Sequence, residues 1–199
     1  MYNNLIAEAI GTFTLVLAVQ MVPHTANPII ATPLLAAIVV GLFVYTIGGR
    51  SGCHINPAIT IGLWSIKKIE TKTAFSYISA QIIGAALAIA TAAYLIYDTA
   101  ITFSTIPSSL ATFMAEAVGT AILAFGVAAV VYGKVKDEAS GLVIGTSLLV
   151  GIAFATAIWS SGLLNPAVAL AYSAIDISYL LGPIVGAVIG MNLYKKFIA

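Results

Sequence analysis

The stretch Ser51-Gly52-Cys53-His54-Ile55-Asn56-Pro57-Ala58 decides the fold, and its last three residues recur as Asn165-Pro166-Ala167. Asn is a favoured helix N-cap, and Pro suits the first helical turn because the N–H that it lacks would have no partner there. An apolar run follows each copy, over residues 59–64 and 168–172. Each tripeptide is therefore predicted to begin a short helix inside apolar sequence.

The composition places the chain in a membrane. Hydrophobic residues make up 61% of the 199 residues and charged residues 8%, whereas soluble domains carry about 25% charged residues. A soluble fold of this length has too little interior to hide so much apolar surface. The net charge of +1 with no basic tract indicates no nucleic-acid partner, and the single Cys53 excludes an internal disulfide framework. The lipid bilayer is the expected partner.

Six apolar segments are each near the roughly 20 residues that a helix needs to span a bilayer. They lie at about 5–22, 29–49, 73–97, 110–132, 139–160 and 177–198. The helices predicted after the two tripeptides, at about 56–66 and 165–174, are too short to span. Lipid tolerates such breaks only where protein or a watery cavity surrounds them. The prediction is an all-α membrane protein with six transmembrane helices, two re-entrant half-helices and a pathway between them.

Basic residues lie on one side of this topology. They follow the first half-helix, the fourth span and the sixth span, as Lys67, Lys68, Lys72, Lys134, Lys136, Lys195 and Lys196. The loops on the other side, around residue 24 and from 98 to 107, carry no Lys or Arg. The positive-inside rule then places both termini of this multi-pass protein in the cytoplasm, and the cell membrane is the expected location. Arg50 is expected to be an interfacial anchor, with a mouth-lining cation as the alternative.

The chain repeats itself in two halves of one domain, at about residues 1–97 and 110–199. The pattern Ala-Glu-Ala-x-Gly-Thr occurs at 7–12 and 115–120, an offset of 108, and the Asn-Pro-Ala tripeptides are offset by 109. Each half holds three spans, so the second half enters the membrane from the opposite side. The half-helices of this inverted repeat therefore enter from opposite faces, and their Asn ends are predicted to meet near the midplane.

These features resemble the aquaporin, or major intrinsic protein, family over nearly the whole chain. The resemblance rests on the paired Asn-Pro-Ala and Ala-Glu-Ala-x-Gly-Thr motifs, on residues 51–58, and on Gly-Pro-Ile-Val-Gly at 182–186. It implies six tilted spans and two half-helices around one pore per subunit, usually in a homotetramer. It also implies a passive channel for water or small neutral solutes, with no cofactor and no metal.

The half-helix ends carry the predicted selectivity. Each N-terminus presents the positive end of a helix dipole and unpaired N–H groups, so two of them aimed at the pore centre repel cations. Asn56 and Asn165 are expected to donate side-chain N–H bonds to a passing oxygen; the alternative is that they only cap their helices. The remaining motif residues are Pro57, Ala58, Pro166 and Ala167.

Glu8 and Glu116 lie within predicted membrane helices, where a carboxylate is costly and by default functional. We favour a structural role, in which each accepts backbone N–H bonds from the irregular loop before a half-helix. The alternative is a titrating proton relay.

Small residues recur at four-residue spacing in the third and sixth spans, as Ala80, Gly84, Ala88, Gly182, Gly186 and Gly190. Small residues let membrane helices cross closely. Because the pattern occurs in both halves, we expect packing inside one bundle, with dimerisation as the alternative.

The chain departs from the family at the outer selectivity filter. Family members typically carry Arg directly after the second Asn-Pro-Ala, whereas this chain has Val168. The other implied filter positions fall at Gly162, at Ala36, and at either Gly151 or Ile152. Together they predict a wide, apolar filter without fixed charge, which would admit ammonia, urea, glycerol or hydrogen peroxide besides water. An apolar ring can also slow water by dewetting.

Cys53 and His54 come just before the first Asn-Pro-Ala, and both are predicted to lie beside the pore. Cys53 is the pseudo-symmetric mate of Gly162; the alternative is a small buried hydrophobe. His54 would offer a hydrogen-bond site in the cytoplasmic half of the pore, and the alternative is a ring bonded to loop carbonyls.

Three classes of function remain. The first is a passive channel for water and small neutral solutes, or its variant, a glycerol, urea and ammonia facilitator with little water selectivity. Ala169, where glycerol-conducting members usually carry Asp, favours water. The second class is a coupled secondary transporter, since inverted repeats also build those. The third is a non-conducting structural membrane protein. An enzyme has no support, because the chain has no clustered nucleophile and base, metal-ligand spacing or phosphate loop.

Overall fold

A computed structural model describes residues 1–25, 28–95 and 108–199. Eight α-helices occur in this part of the chain. They are α1 (Tyr2–Met21), α2 (Thr32–Ser51), α3 (Pro57–Ser65), α4 (Thr71–Leu95), α5 (Leu110–Val131), α6 (Asp137–Ala157), α7 (Pro166–Ala171) and α8 (Ile177–Phe197), with a 3-10 turn at Val22–His24. All but α3 and α7 are long and apolar enough to cross a membrane. The predicted fold class, six spans with two short helices, is confirmed.

Four boundaries differ from the prediction by three residues. The first span begins at Tyr2 rather than 5, and the fifth span ends at Ala157 rather than 160. The second span begins at Thr32 rather than 29, because Pro33 occupies its first turn and Pro favours that position. The second half-helix ends at Ala171 rather than 174. Ser173 takes a left-handed backbone (φ 53°), and the N–H of Ala174 bonds the carbonyl of Ala169 at 3.0 Å, a pattern that closes a helix. Residue 97, the predicted end of the third span, lies outside the described residues.

The spans pack in pairs that follow the two halves of the chain. Helix α1 packs against α4 and α2, helix α5 packs against α8 and α6, and α2 meets α6 between the halves. Glycines set the closest approaches: a Cβ on Gly84 would collide with the carbonyl oxygen of Ala9, and a Cβ on Gly186 with that of Ala117. The small residues predicted to pack inside the bundle therefore do so, α4 on α1 and α8 on α5.

The outside of the bundle is apolar. Large side chains in the middle of five spans leave about half of their surface exposed: Ile10 51%, Ile38 49%, Leu87 56%, Val150 55% and Ile189 48%. Such a surface is stable against acyl chains and unstable in water. The buried interior, in contrast, holds both half-helices and the polar residues that precede them.

Candidate channel pore

The two half-helices meet at their N-terminal ends. Asn56 caps α3 by accepting the N–H of Ala58 on Oδ1 at 2.8 Å, and Asn165 caps α7 by accepting that of Ala167 at 3.0 Å. The capping part of the prediction is thus present in the structure. The other residues of the two motifs, Pro57, Ala58, Pro166 and Ala167, form the first helical turns and are buried away from the cavity described below.

Each cap also reaches across to the opposite half. Asn56 Nδ2 donates to the carbonyl of Leu164 at 2.9 Å, and Asn165 Nδ2 donates to the carbonyl of Ile55 at 3.1 Å. A side-chain amide has two N–H groups. One N–H of each Asn is therefore used to join the loops, and the second has no bond to the described part of the protein.

The loops before the half-helices have an alternating backbone. Cys53 and Ile55 take left-handed conformations (φ 51° and 39°), and Gly162 and Leu164 do the same in the second half (φ 65° and 51°). Such a conformation is unfavourable by roughly 1–2 kcal/mol for a residue with a Cβ. The loops hold it because their N–H groups converge on a buried carboxylate in each half.

Glu8 supplies that carboxylate in the first half. Its Oε1 accepts the hydroxyl of Ser51 at 2.6 Å and the N–H of His54 at 2.9 Å. Its Oε2 accepts the N–H of Ile55 at 2.7 Å and the Nε2 amide of Gln81 at 2.8 Å. All four neighbours present donors, so the carboxyl group acts as an acceptor only.

Glu116 plays the same part in the second half. Its Oε1 accepts the hydroxyl of Ser160 and the N–H of Leu163 at 3.0 Å, and its Oε2 accepts the N–H of Leu164 at 2.7 Å. Both carboxylates are fully buried and neither lines the cavity. The backbone bonds expected of a structural carboxylate are present in both halves.

A cavity of about 460 Å³ lies between the half-helix junction and the long helices. It follows one face of α6 through residues 144, 148, 152 and 156, a length of about 18 Å at 1.5 Å per residue. Among the described residues that line it, none is Asp, Glu, Lys or Arg. The lining is Leu15, Val19, Thr32, Pro33, Ala36, Val40, Cys53, His54, Ile55, Asn56, Ile59, Leu123, Val127, Ile144, Leu148, Ile152, Thr156, Ser161, Gly162, Leu163, Asn165, Val168 and Tyr172.

Four of the predicted filter residues lie in this wall: Ala36, Ile152, Gly162 and Val168. Of the two alternatives on α6, Ile152 faces the cavity. Gly151 faces α5, where a Cβ would collide with the carbonyl oxygen of Gly119. Gly151 is therefore a packing glycine at a helix crossing.

The missing side chain at Gly162 does not open the wall. A Cβ there would lie 3.0 Å from Thr156 Cγ2 and 3.2 Å from Ile152 Cγ2. Side chains of the neighbouring helix α6 thus fill the space beside Gly162. Sequence reasoning missed Thr156, although it lies one turn after Ile152 on the same helix face. Its hydroxyl donates to the carbonyl of Ile152 at 2.9 Å and is directed into the helix.

Cys53 and His54 both line the cavity, and Cys53 is an unpaired, buried thiol. The His54 ring bonds the hydroxyl of Thr60, with Nδ1 and Oγ1 3.1 Å apart, and not a loop carbonyl. The alternative given for His54 is therefore wrong about its partner. Arg50 is exposed in the last turn of α2 and is absent from the cavity wall.

Tyrosines hold the second half-helix in place. The hydroxyl of Tyr172 donates to the carbonyl of Val19 at 2.7 Å, which ties the end of α7 to α1. The hydroxyl of the fully buried Tyr179 lies 3.1 Å from that of Ser161 in the loop before α7. Sequence reasoning assigned neither contact, because both join segments far apart in the chain.

Comparisons with known proteins agree with this geometry. The sequence profile of the family described as "Major intrinsic protein" matches residues 1–194. The chain is 33% identical to Aquaporin NIP1-1 of Arabidopsis thaliana, over 97% of this chain and 73% of that protein. It is 29% identical to Aquaporin AqpM of Methanothermobacter marburgensis, over 96% of this chain and 95% of that protein.

The fold matches a solved structure as well. The X-ray structure of the aquaglyceroporin from Plasmodium falciparum aligns with a TM-score of 0.74 and 24% identity, over 100% of this chain and 98% of that one. Together with the six apolar helices, these matches make the protein an integral, multi-pass membrane protein. The chain belongs to the major intrinsic protein family, the aquaporins, and is a channel and not an enzyme.

Proposed function

We propose that the protein is a passive channel for water and small neutral solutes, which cross through the cavity between the half-helix junction and the long helices. The observation that carries this proposal is the cavity wall itself: it holds both capping asparagines and, among its described residues, no side chain with a fixed charge. A neutral solute can move from water to such a wall with a small loss of solvation free energy, whereas an ion would lose most of its solvation free energy.

The junction of the two half-helices supplies the barrier to cations. Helices α3 and α7 both begin at the cavity, where their N-caps Asn56 and Asn165 lie. The positive end of each helix dipole therefore faces the cavity. The second N–H of Asn56 and of Asn165 is available to a passing oxygen, since the first is held by the opposite loop. A water oxygen that accepts both N–H groups cannot accept a proton from its neighbour, so the file of waters is interrupted there.

The solute range follows from the filter. Val168 offers no donors where the family's Arg would stand, and the Thr156 hydroxyl is bonded to its own helix. The ring of Ala36, Ile152 and Val168 therefore presents apolar surface. This favours small neutral solutes such as ammonia, urea, glycerol and hydrogen peroxide. It also supports a second candidate, a facilitator with little water selectivity, because an apolar constriction slows water by dewetting.

The cavity gives little support to a coupled transporter. Coupling through a buried carboxylate needs that carboxylate to face the permeating substrate. Glu8 and Glu116 are fully buried behind the loops, and each accepts at least three hydrogen bonds from fixed donors. Neither carboxylate is among the residues that line the cavity.

We further propose a homotetramer in the cell membrane with both termini in the cytoplasm. The support is the family resemblance for the tetramer and the one-sided distribution of lysines for the orientation. Light scattering of the purified protein in detergent tests the tetramer. Protease accessibility of a C-terminal tag in sealed cells tests the orientation.

Stopped-flow light scattering on proteoliposomes tests the function. Vesicles are shrunk with an impermeant osmolyte to measure water flux, and then re-swollen with urea or glycerol. We expect both fluxes to exceed those of empty vesicles. Flux of water without re-swelling would restrict the channel to water, and folded protein that passes neither would refute the proposal. Val168→Arg should reduce urea and glycerol flux more than water flux, and Val168→Met is the matched control for side-chain length.

A further inference from the structure

The first half of the chain contains a polar cluster that the second half lacks. It consists of His54, Thr60 and Gln81, and it lies beside Glu8. The pseudo-symmetric position of Gln81 in α8 is Pro183, and that of Thr60 in α7 is Ala169. The cluster is thus not required to hold a half-helix loop, since Glu116 holds the second loop without it.

The hydroxyl of Thr60 has three partners, and one arrangement of hydrogens satisfies all three. A hydroxyl has one hydrogen to donate and two lone pairs to accept. The carbonyl of Asn56 can only accept. It already accepts the backbone N–H of Thr60 at 3.0 Å, and in this arrangement it also takes the Thr60 hydroxyl hydrogen, 3.1 Å away. Gln81 Nε2, 3.0 Å away, donates to one lone pair. The remaining lone pair faces His54 Nδ1 at 3.1 Å, and only a protonated Nδ1 can fill it.

The orientation of the Gln81 amide is set by Glu8. Gln81 Nε2 lies 2.8 Å from Glu8 Oε2, which accepts and does not donate. The amide therefore turns its nitrogen toward both Glu8 and Thr60. Its oxygen is left buried without a partner, which is uncommon in native structures and calls for an explanation. The explanation is that both hydrogens of this amide are needed on Glu8 and Thr60.

The His54 ring is held from its other sides as well. It packs edge to face on Tyr77, with ring centroids 5.1 Å apart at 69°. Its Nε2 faces Gly52, and a Cβ added to Gly52 would lie 3.1 Å from this nitrogen. No described residue forms a hydrogen bond to Nε2, and His54 lines the cavity. A glycine at position 52 keeps the space beside this nitrogen open.

We propose that Thr60 and Gln81 are positioning residues that hold His54 as its neutral Nδ1–H tautomer, so that the Nε2 lone pair is a fixed hydrogen-bond acceptor toward the cavity. The cavity wall then offers hydrogen-bond donors at Asn56 and Asn165 and a hydrogen-bond acceptor at His54. This inference rests on the proposed channel function, because the acceptor matters only if solutes pass it. It selects solutes that carry O–H or N–H groups, such as water, urea and glycerol.

Nitrogen-15 solid-state NMR of reconstituted protein tests the tautomer directly. The chain has two histidines, so a His24→Gln background with labelled histidine reports His54 alone, and correlations through the ring carbons separate Nδ1 from Nε2. We expect a protonated Nδ1 and a bare Nε2 at neutral pH. A protonated Nε2 in this background, as the neutral tautomer or as imidazolium, would overturn the proposal without any further variant.

Variants of the positioning residues test the cause. Thr60→Val keeps the shape of the side chain and removes the acceptor. It should shift the tautomer equilibrium about fivefold toward Nε2–H, the factor that corresponds to one net hydrogen bond. Thr60→Ser keeps the hydroxyl and should retain the Nδ1–H tautomer. Gln81→Met should shift the equilibrium in the same direction as Thr60→Val. If the tautomer equilibrium of His54 is unchanged in Thr60→Val, Thr60 is not a positioning residue. If it is unchanged in Gln81→Met, Gln81 is not a positioning residue.

Urea flux through the same vesicles separates this inference from the proposed function. Thr60→Val should lower urea permeability about fivefold if the acceptor aids passage, and Thr60→Ser should restore it. If the unmodified protein conducts neither water nor urea, the channel proposal fails while the NMR result still decides the tautomer. If Thr60→Val changes the tautomer and leaves urea flux unchanged, the role of the acceptor in permeation is refuted.

Discussion

Replacing Glu8 with Gln separates a structural carboxylate from a proton relay. The substitution keeps the shape and removes one acceptor oxygen. Two donors face each oxygen of Glu8: Ser51 and the N–H of His54 on one, and the N–H of Ile55 and Gln81 on the other. Whichever way the new amide turns, its NH₂ end meets at least one backbone N–H that can only donate.

The expected loss of stability follows from this count. The Ser51 hydroxyl can turn to accept from the new NH₂ group, so the favourable orientation leaves one loop N–H unsatisfied. An unsatisfied buried donor is unfavourable by about 1–3 kcal/mol, and the bonds that remain lose the assistance of a full charge. We therefore expect Glu8→Gln to destabilise the protein by about 2–4 kcal/mol, and a smaller yield of folded protein.

The assay measures stability and flux on the same sample. Thermal unfolding in detergent should occur at a lower temperature for Glu8→Gln, whereas water and urea flux per folded channel should stay within a factor of about two of the unmodified value. Glu70→Gln makes the same chemical change at an exposed position and is the control. Unchanged stability together with lost flux would refute the structural role and favour a relay.

Three further predictions concern packing, the cavity thiol and the filter. Gly186→Val should prevent folding, because its side chain would collide with the carbonyl of Ala117, while Val185→Ala beside it should fold; recovery of folded protein after size-exclusion chromatography measures both. A mercurial should block water flux in the unmodified protein and not in Cys53→Ser, since Cys53 lines the cavity; block that persists in the variant would place the reactive site elsewhere. Val168→Arg should lower proton leak, measured with a trapped pH dye, because a fixed positive charge at the filter raises the barrier for cations; unchanged leak would mean that the half-helix junction alone controls proton passage.

Several features of the protein follow from local sequence. Apolar length and composition determine the six spans, because a helix that crosses lipid must satisfy its own backbone and present no charge to the lipid. The Asn-Pro pair determines where each half-helix begins, because capping depends on two adjacent residues. The odd number of spans per half makes the repeat inverted, and the glycines at four-residue spacing indicate which helix faces meet.

The cavity wall depends instead on the rotation of each helix and on contacts between distant segments. Moving by one residue turns a helix by about 100°, so sequence spacing alone could not choose between Ile152 on the cavity and Gly151 on α5. The space beside Gly162 is filled by side chains of α6. The His54 ring contacts Thr60, which in turn accepts from Gln81 of another span. Sequence by itself determined the scaffold and the place of the pore, because these depend on short-range rules. Tertiary structure alone decided which atoms face the permeating solute, because that depends on how helices far apart in the chain pack together.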